Sequence, residues 1–194
     1  MALLTMDDDP RSPLREAGIA LIGERGLYGF SLSDLAARSG RSRALVNHHY
    51  RSKEEFLDEL VRDLLGSPMA ETLPSSEPLE DLLVRLSIEY VRGTLDEPSG
   101  RALLSILSMT HPDARHAEAI RNWWKVRVAG VRALLKAGVA SGDFRQDADT
   151  DMTAVSIISA VTGASLAALT TATRHREPLR AAITDLVSRS LNRT

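Results

Sequence analysis

The chain has no cysteine and few aromatic residues, and these absences narrow what it can do. Without a thiol there is no disulfide framework, no thiolate metal site and no thiol redox sensor. The sequence also holds no glycine-rich phosphate loop, no His-Glu-x-x-His metal motif and no nucleophile elbow. We therefore predict that the protein is not an enzyme and that it has no cofactor and no metal site.

Signals for secretion and membrane insertion are also lacking. The stretch from Met1 to Asp9 has neither a basic start nor a long apolar run, so we expect no secretory signal and a cytoplasmic protein. One segment, Met152 to Leu169, is as long and apolar as a membrane span. Its many serines, threonines and alanines favour a buried helix instead, so no membrane partner is predicted. Helical periodicity without strand-type alternation predicts an all-α fold.

Charge is distributed unevenly along a chain whose formal net charge is only −2. The stretch between Leu35 and Lys53 has two histidines and no acid, and its five basic residues are Arg38, Arg41, Arg43, Arg51 and Lys53. Phosphate neutralisation dominates the affinity of proteins for DNA, so an uncompensated patch of this kind predicts a DNA-binding surface. A solvated basic face on a helical domain is the alternative.

The same stretch has the turn chemistry of two short helices joined by a tight turn. Ser31 with Asp34 three residues later resembles a capping box, and Gly40 can end the first helix in the left-handed conformation. Ser42 can cap a second helix from Arg43 to about Tyr50. This arrangement predicts a helix-turn-helix whose second helix presents its N-terminal residues to a major groove.

Several segments resemble the DNA-binding domain of tetracycline-repressor-type (TetR-family) regulators. The most specific one is residues 49–54, His-Tyr-Arg-Ser-Lys-Glu, which is similar to the family's His-Phe-x-Ser-Lys-Glu signature. The resemblance covers about the first third of the chain. Arg41 stands where the family often has Val, and Asn47 where it often has Tyr, differences that bear on which bases are read.

The resemblance and the helix-turn-helix together predict two domains. Residues 10–55 would form a three-helix DNA-binding domain, and residues 56–194 a helical domain for ligand binding and dimerisation. The residues expected at DNA are Ser31, Arg41, Ser42, Arg43, Ala44, Asn47, His48, Tyr50 and Lys53.

Two apolar helices at the C-terminus have faces that one subunit cannot easily cover. Pairing them with the same helices of a second subunit would form a four-helix bundle, and the TetR resemblance implies the same homodimer. The alternative is two core helices of a monomer. The residues predicted at the interface are Ala160, Gly163, Ala164, Ala167, Leu179, Ile183 and Leu186.

A ligand site is predicted in the larger domain. Ligand pockets are apolar and aromatic with a few polar groups, and the candidates of that kind are Tyr90, Met109, His111, Trp123 and Trp124. An apolar or aromatic small molecule with one polar group would suit them, although plain packing is an alternative for each tryptophan.

The function we expect is therefore a homodimeric, ligand-responsive repressor that binds an inverted-repeat DNA operator. The alternatives are a transcriptional activator and a helical protein-interaction module without a small-molecule ligand.

Overall fold

The computed structural model describes residues 9–66, 77–108 and 114–171, with residues 181–182, 184–186 and 188–189 near the C-terminus. Every regular element within these residues is an α-helix, which confirms the all-α prediction. The helices are α1 (Ser12–Arg25), α2 (Leu32–Ser39), α3 (Arg43–His49), α4 (Lys53–Gly66), α5 (Leu79–Asp96), α6 (Pro98–Leu107), α7 (Ala114–Ser141) and α8 (Thr150–Thr171). The described residues between 181 and 189 are helical as well.

Helices α1 to α4 enclose a first hydrophobic core. Leu14 of α1, Leu35 of α2 and Val46 of α3 are fully buried in it. A Cβ at Gly18 would lie only 2.3 Å from the Phe56 ring, so the glycine allows α1 to pack closely on α4. The predicted boundary between residues 55 and 56 falls inside α4, whose apolar residues belong to this core.

The larger domain also contributes to the first core. Ala102 and Ile106 of α6 and Trp123 of α7 are buried within it. Helix α6 packs on α1 and α4, and α7 packs on α4. Helices α1 to α4 are therefore joined to the rest of the subunit through these contacts as well as through the chain.

A second core lies between α5, α7 and α8. Leu82, Leu135, Phe144 and Ile157 are among its buried residues. A buried hydrogen bond of 3.1 Å between the hydroxyls of Thr94 and Ser165 joins α5 to α8. These contacts fix the three helices that surround the cavity described below.

Helix α6 begins earlier than its sequence indicates. The Pro and Gly residues between 96 and 100 predict a break and a helix from Ala102 to Met109, whereas the helix begins at Pro98. Proline suits the first position of a helix because its missing N–H needs no partner there. A Cβ at Gly100 would lie 2.3 Å from the Gly93 carbonyl oxygen, so this glycine allows close packing rather than a break. Met109 lies outside the described residues.

Helix α8 carries a largely exposed apolar face. By length and composition this helix could span a membrane. Within the subunit, 28% of its most apolar stretch is buried. The residues of what we call the α8 outer face are Met152, Val155, Ser159, Gly163 and Leu166, which recur at helical spacing and are all exposed. An exposed apolar patch of this kind usually marks an interaction site.

Candidate functional site

Local hydrogen bonds cap α2 and α3. The Ser31 hydroxyl accepts from the Asp34 backbone N–H, and the Asp34 carboxylate accepts from the Ser31 N–H at 2.8 Å, which completes the predicted capping box at the start of α2. The Ser31 hydroxyl also donates to the Asp34 carboxylate, and this bond, followed by the one from the Ser31 N–H, holds the pKa of Asp34 below its usual value. Gly40 ends α2 with a φ of 66°, and the Ser42 hydroxyl caps α3 by accepting from the Leu45 N–H. The relative orientation of the two helices therefore follows from the residues of the turn itself.

One face of α3 is exposed along the length of the helix. Arg43, Ala44, Asn47 and His48 point to solvent, while Val46 on the opposite face is fully buried. Of the other residues predicted at DNA, Ser31 at the start of α2 and Arg41 and Ser42 in the turn before α3 are also exposed. Seven of the nine predicted residues are thus exposed.

Tyr50 differs from the rest because its side chain belongs to the first core. It is 2% exposed, and its ring packs edge-on against Phe56 with centroids 5.1 Å apart. Its hydroxyl donates to Glu59 at 3.0 Å. Burial, and then the Glu59 carboxylate, raise the pKa of Tyr50. The side chain therefore supports α3 from behind.

Lys53 is held at the start of α4 by the loop that precedes α2. Its ammonium group donates to the Tyr28 carbonyl oxygen at 3.0 Å and lies 4.4 Å from the centroid of the Phe30 ring. This is a cation–π contact. Partial burial lowers the pKa of Lys53. The residue thus ties the loop to the helix that follows α3.

The basic stretch is less uncompensated than its sequence indicates. Arg38 pairs with Glu24 of α1 at 2.6 Å, so the prediction of an uncompensated patch is wrong for this residue. Arg43 donates to the Ser33 hydroxyl at 2.9 Å, and this neutral partner does not offset the charge of the guanidinium. Arg41 and Arg51 are exposed and form no ion pair with another described residue. The charge that remains lies around α3.

A cavity of about 240 Å³ lies between α5, α7 and α8. Its wall is mostly apolar, and the residues that line it are Leu83, Leu86, Ser87, Glu89, Tyr90, Trp123, Arg127, Val131, Leu134, Ile157, Ile158, Val161 and Thr162.

Tyr90, Trp123 and Arg127 bring polar groups to this wall. The Tyr90 hydroxyl and the Trp123 indole Nε1 are buried and make no hydrogen bond of normal geometry to a described residue, although Thr162 approaches the hydroxyl. The Arg127 guanidinium carbon lies 5.6 Å from the centroid of the Trp123 ring. Burial raises the pKa of Tyr90 and lowers that of Arg127. Arginine nevertheless stays protonated.

A buried contact joins the start of α7 to α4. His116 of α7 is 4% exposed, and its Nε2 lies 3.2 Å from Asp58 Oδ1 of α4. Arg115 approaches the other oxygen of Asp58 at 3.5 Å. The first turn of α7 is thereby held against the middle of α4.

The helix-turn-helix coincides with a known family pattern. Residues 14–60 match the family model described as bacterial regulatory proteins of the tetR family. The helix-turn-helix domain of this chain belongs to the TetR family. The chain is therefore a DNA-binding regulator of transcription, and α3 is the second helix of its helix-turn-helix.

Relatives of this chain are regulators of transcription. The HTH-type transcriptional repressor KstR2 of Mycolicibacterium smegmatis is 26% identical over 153 residues, which cover 73% of this chain and 71% of KstR2. The HTH-type transcriptional regulator BetI of Rhizobium meliloti is 24% identical over 143 residues, 72% of this chain and 68% of BetI.

Solved structures have the same fold. A Saccharomonospora viridis protein, solved in complex with choline, superposes with a TM-score of 0.79 at 20% identity. The superposition covers 97% of this chain and the whole of the other protein.

The residues predicted at the ligand are divided by the structure. Tyr90 and Trp123 line the cavity. Trp124 packs against the first core with its ring edge-on to Trp123, and it is not among the lining residues. Met109 and His111 lie outside the described residues. Arg127 is a cavity residue that the sequence analysis missed, because an arginine on a long amphipathic helix has no local signal that distinguishes it from a solvated one.

The residues predicted at the dimer interface are divided as well. Ala160, Gly163 and Ala167 are exposed on α8, and Ala164 is half-buried. Leu186 packs against the second core of its own subunit. Leu179 and Ile183 lie outside the described residues.

Proposed function

We propose that this TetR-family regulator is a cytoplasmic, ligand-responsive repressor that binds an inverted-repeat operator as a homodimer. One observation carries the proposal of a ligand response. Trp123 is buried in the first core, which supports the helix-turn-helix, and the same side chain lines the cavity of the larger domain. A molecule in the cavity would therefore contact a residue on which the DNA-binding unit packs.

The DNA-reading role is assigned to the exposed half of α3. Arg43 and Asn47 have the chemistry to contact base edges, because arginine pairs with guanine and asparagine with adenine in the major groove. Arg41 and Lys53 are assigned to phosphate contacts. Lys53 stands at the start of α4, where backbone N–H groups add to its attraction for a phosphate. We propose that the DNA-binding unit extends through α4, since α4 shares its core.

The homodimer is inferred from the α8 outer face. Its small residues, Ser159 and Gly163, allow the backbone of a second helix to approach closely, and its flanking Met152, Val155 and Leu166 supply apolar area. Pairing with a second copy covers this area without a membrane. The buried Thr94–Ser165 hydrogen bond on the other side of α8 fits a helix packed in protein.

Ligand binding would act by changing the spacing of the two DNA-binding units. A dimer reads two half-sites whose centres lie about 34–36 Å, or a multiple of that, apart. A ligand can shift the dimer between two geometries only by as much as its affinity differs between them. The Trp123 contact with the first core and the His116–Asp58 contact are the routes we assign to this coupling.

The test is a selection of bound fragments from genomic DNA with the purified protein, followed by footprinting. We expect an inverted repeat protected by two subunits. If about six phosphates are neutralised per dimer, a plot of the logarithm of the binding constant against the logarithm of the salt concentration should have a slope of about −5. An asymmetric site protected by one subunit would contradict the proposal.

A further inference from the structure

The chemical class of the ligand can be inferred from the hydrogen-bonding character of the cavity wall, on the premise that the proposed ligand response is correct. Indole N–H and guanidinium groups only donate hydrogen bonds, whereas a phenol can also accept. The Trp123 indole and the Arg127 guanidinium in the cavity wall can therefore donate hydrogen bonds but cannot accept them. Burial raises the pKa of the Tyr90 hydroxyl, so this group stays protonated at neutral pH and can donate a hydrogen bond.

Of the other polar residues of the wall, Thr162 approaches the Tyr90 hydroxyl, and Ser87 and Glu89 have partners within α5. The Ser87 hydroxyl donates to the Leu83 carbonyl oxygen at 2.7 Å within α5. The Glu89 carboxylate, which is exposed, accepts from Arg85 through both oxygens at 3.1 and 3.3 Å. Arg85 also pairs with Glu77 at 3.0 Å. The buried Trp123 Nε1 has no hydrogen-bond partner among the described residues, so it favours a ligand that brings an acceptor.

Burial adds a preference for negative charge. Trp123 is 2% exposed, so a donor left unpaired there costs free energy that a ligand acceptor would recover. Arg127 is half-buried beside it, and an anion next to a partly desolvated guanidinium forms stronger, often bidentate, hydrogen bonds. A carboxylate matches this fork of donors better than a single carbonyl oxygen does.

The size of the cavity limits the rest of the molecule. A cavity of about 240 Å³ has room for a small molecule only. The surrounding leucine, isoleucine and valine side chains offer no further partners for polar groups.

We propose that this cavity binds a small monocarboxylate, with its carboxylate at Tyr90, Trp123 and Arg127 and its apolar body against α8. The proposal separates this chain from the structural relative that was solved with choline. The Arg127 cation already lies beside the Trp123 ring, so a quaternary ammonium there would meet a like charge.

The experiment measures binding of octanoate, octanamide and choline to the full-length protein by calorimetry and tryptophan fluorescence, together with release of the selected operator. Octanoate and octanamide have the same size, so their ratio of dissociation constants isolates the charge. We expect octanoate to bind at least about tenfold more tightly than octanamide. Arg127→Gln should reduce that ratio to near one. Arg121→Gln, the same change at an exposed position of α7, should leave it unaltered.

Two conservative variants keep the test decisive if Arg127→Gln fails to fold. Tyr90→Phe and Trp123→Phe each remove one donor while keeping an aromatic ring, and each should weaken octanoate more than octanamide. Octanamide or choline binding as tightly as octanoate to the wild type would overturn the carboxylate proposal. If those compounds also release the operator, the proposed ligand response stands. If octanoate binds without releasing the operator, the ligand class is supported and the response is contradicted. If no compound binds while DNA binding persists, both fail.

Discussion

Gly163 offers the sharpest test of the proposed dimer because the subunit itself does not need a glycine there. It lies on the exposed face of α8, and a Cβ added at this position would meet no atom within 4 Å. Replacing it by leucine should therefore not disturb the fold of one subunit. The helix should gain about 0.5–1 kcal/mol, because glycine is a poor helix former.

The same change should be costly between subunits. Inserting a bulky side chain into a close-packed contact costs about 1–3 kcal/mol. A twofold interface contains the change twice, so the cost becomes about 2–6 kcal/mol. The dimer dissociation constant should then rise by about 30-fold to about 10⁴-fold. Operator affinity should fall with it, because a monomer holds only one half-site.

Sedimentation equilibrium of the wild type and Gly163→Leu, with thermal unfolding of both, would test this reasoning. The matched control is Gly93→Leu in α5, where an added Cβ likewise meets no atom within 4 Å. We expect the control to remain dimeric. An unchanged dimer for Gly163→Leu, or equal weakening by both variants, would show that α8 is not the interface we infer.

Three further predictions concern the DNA-binding unit. Lys53→Ala should weaken binding to all duplexes alike and make the salt dependence shallower, since it removes a phosphate contact; a change in base preference would contradict this. Arg43→Ala and Asn47→Ala should each cost about 1–3 kcal/mol on the operator and relax preference at particular base pairs, measured by a substitution series. Tyr50→Phe should lower the free energy of unfolding by about 0.5–1.5 kcal/mol through loss of the bond to Glu59, with base preference unchanged in the same series.

Local chemistry explains why the helix-turn-helix could be predicted from sequence. The cap at Ser31 and the left-handed Gly40 each depend on residues within three positions, and both are found as predicted. The roles of Tyr50 and Lys53 depend on distant partners. Tyr50 is buried against Phe56, and Lys53 contacts the loop before α2, neither of which a window of sequence contains.

The cavity could be predicted only in part for a related reason. Adjacent residues on a helix point about 100° apart, so one of Trp123 and Trp124 can line a cavity while the other packs in the core. Which one does so is decided by where α5 and α8 pack on α7. Arg127 lies one turn beyond Trp123 on the same face, and its burial likewise depends on its neighbours.

The central claim is that occupancy of the cavity changes the spacing of the two DNA-binding units. Because the chain has no cysteine, Ala37→Cys on the exposed surface of α2 gives one spin label per subunit. Electron paramagnetic resonance then measures the distance between the two labels of a dimer. We predict one defined distance with operator bound and a different one, shifted by several ångströms, when saturating octanoate has released the operator. No dipolar coupling, or the same distance in both states, would contradict the claim.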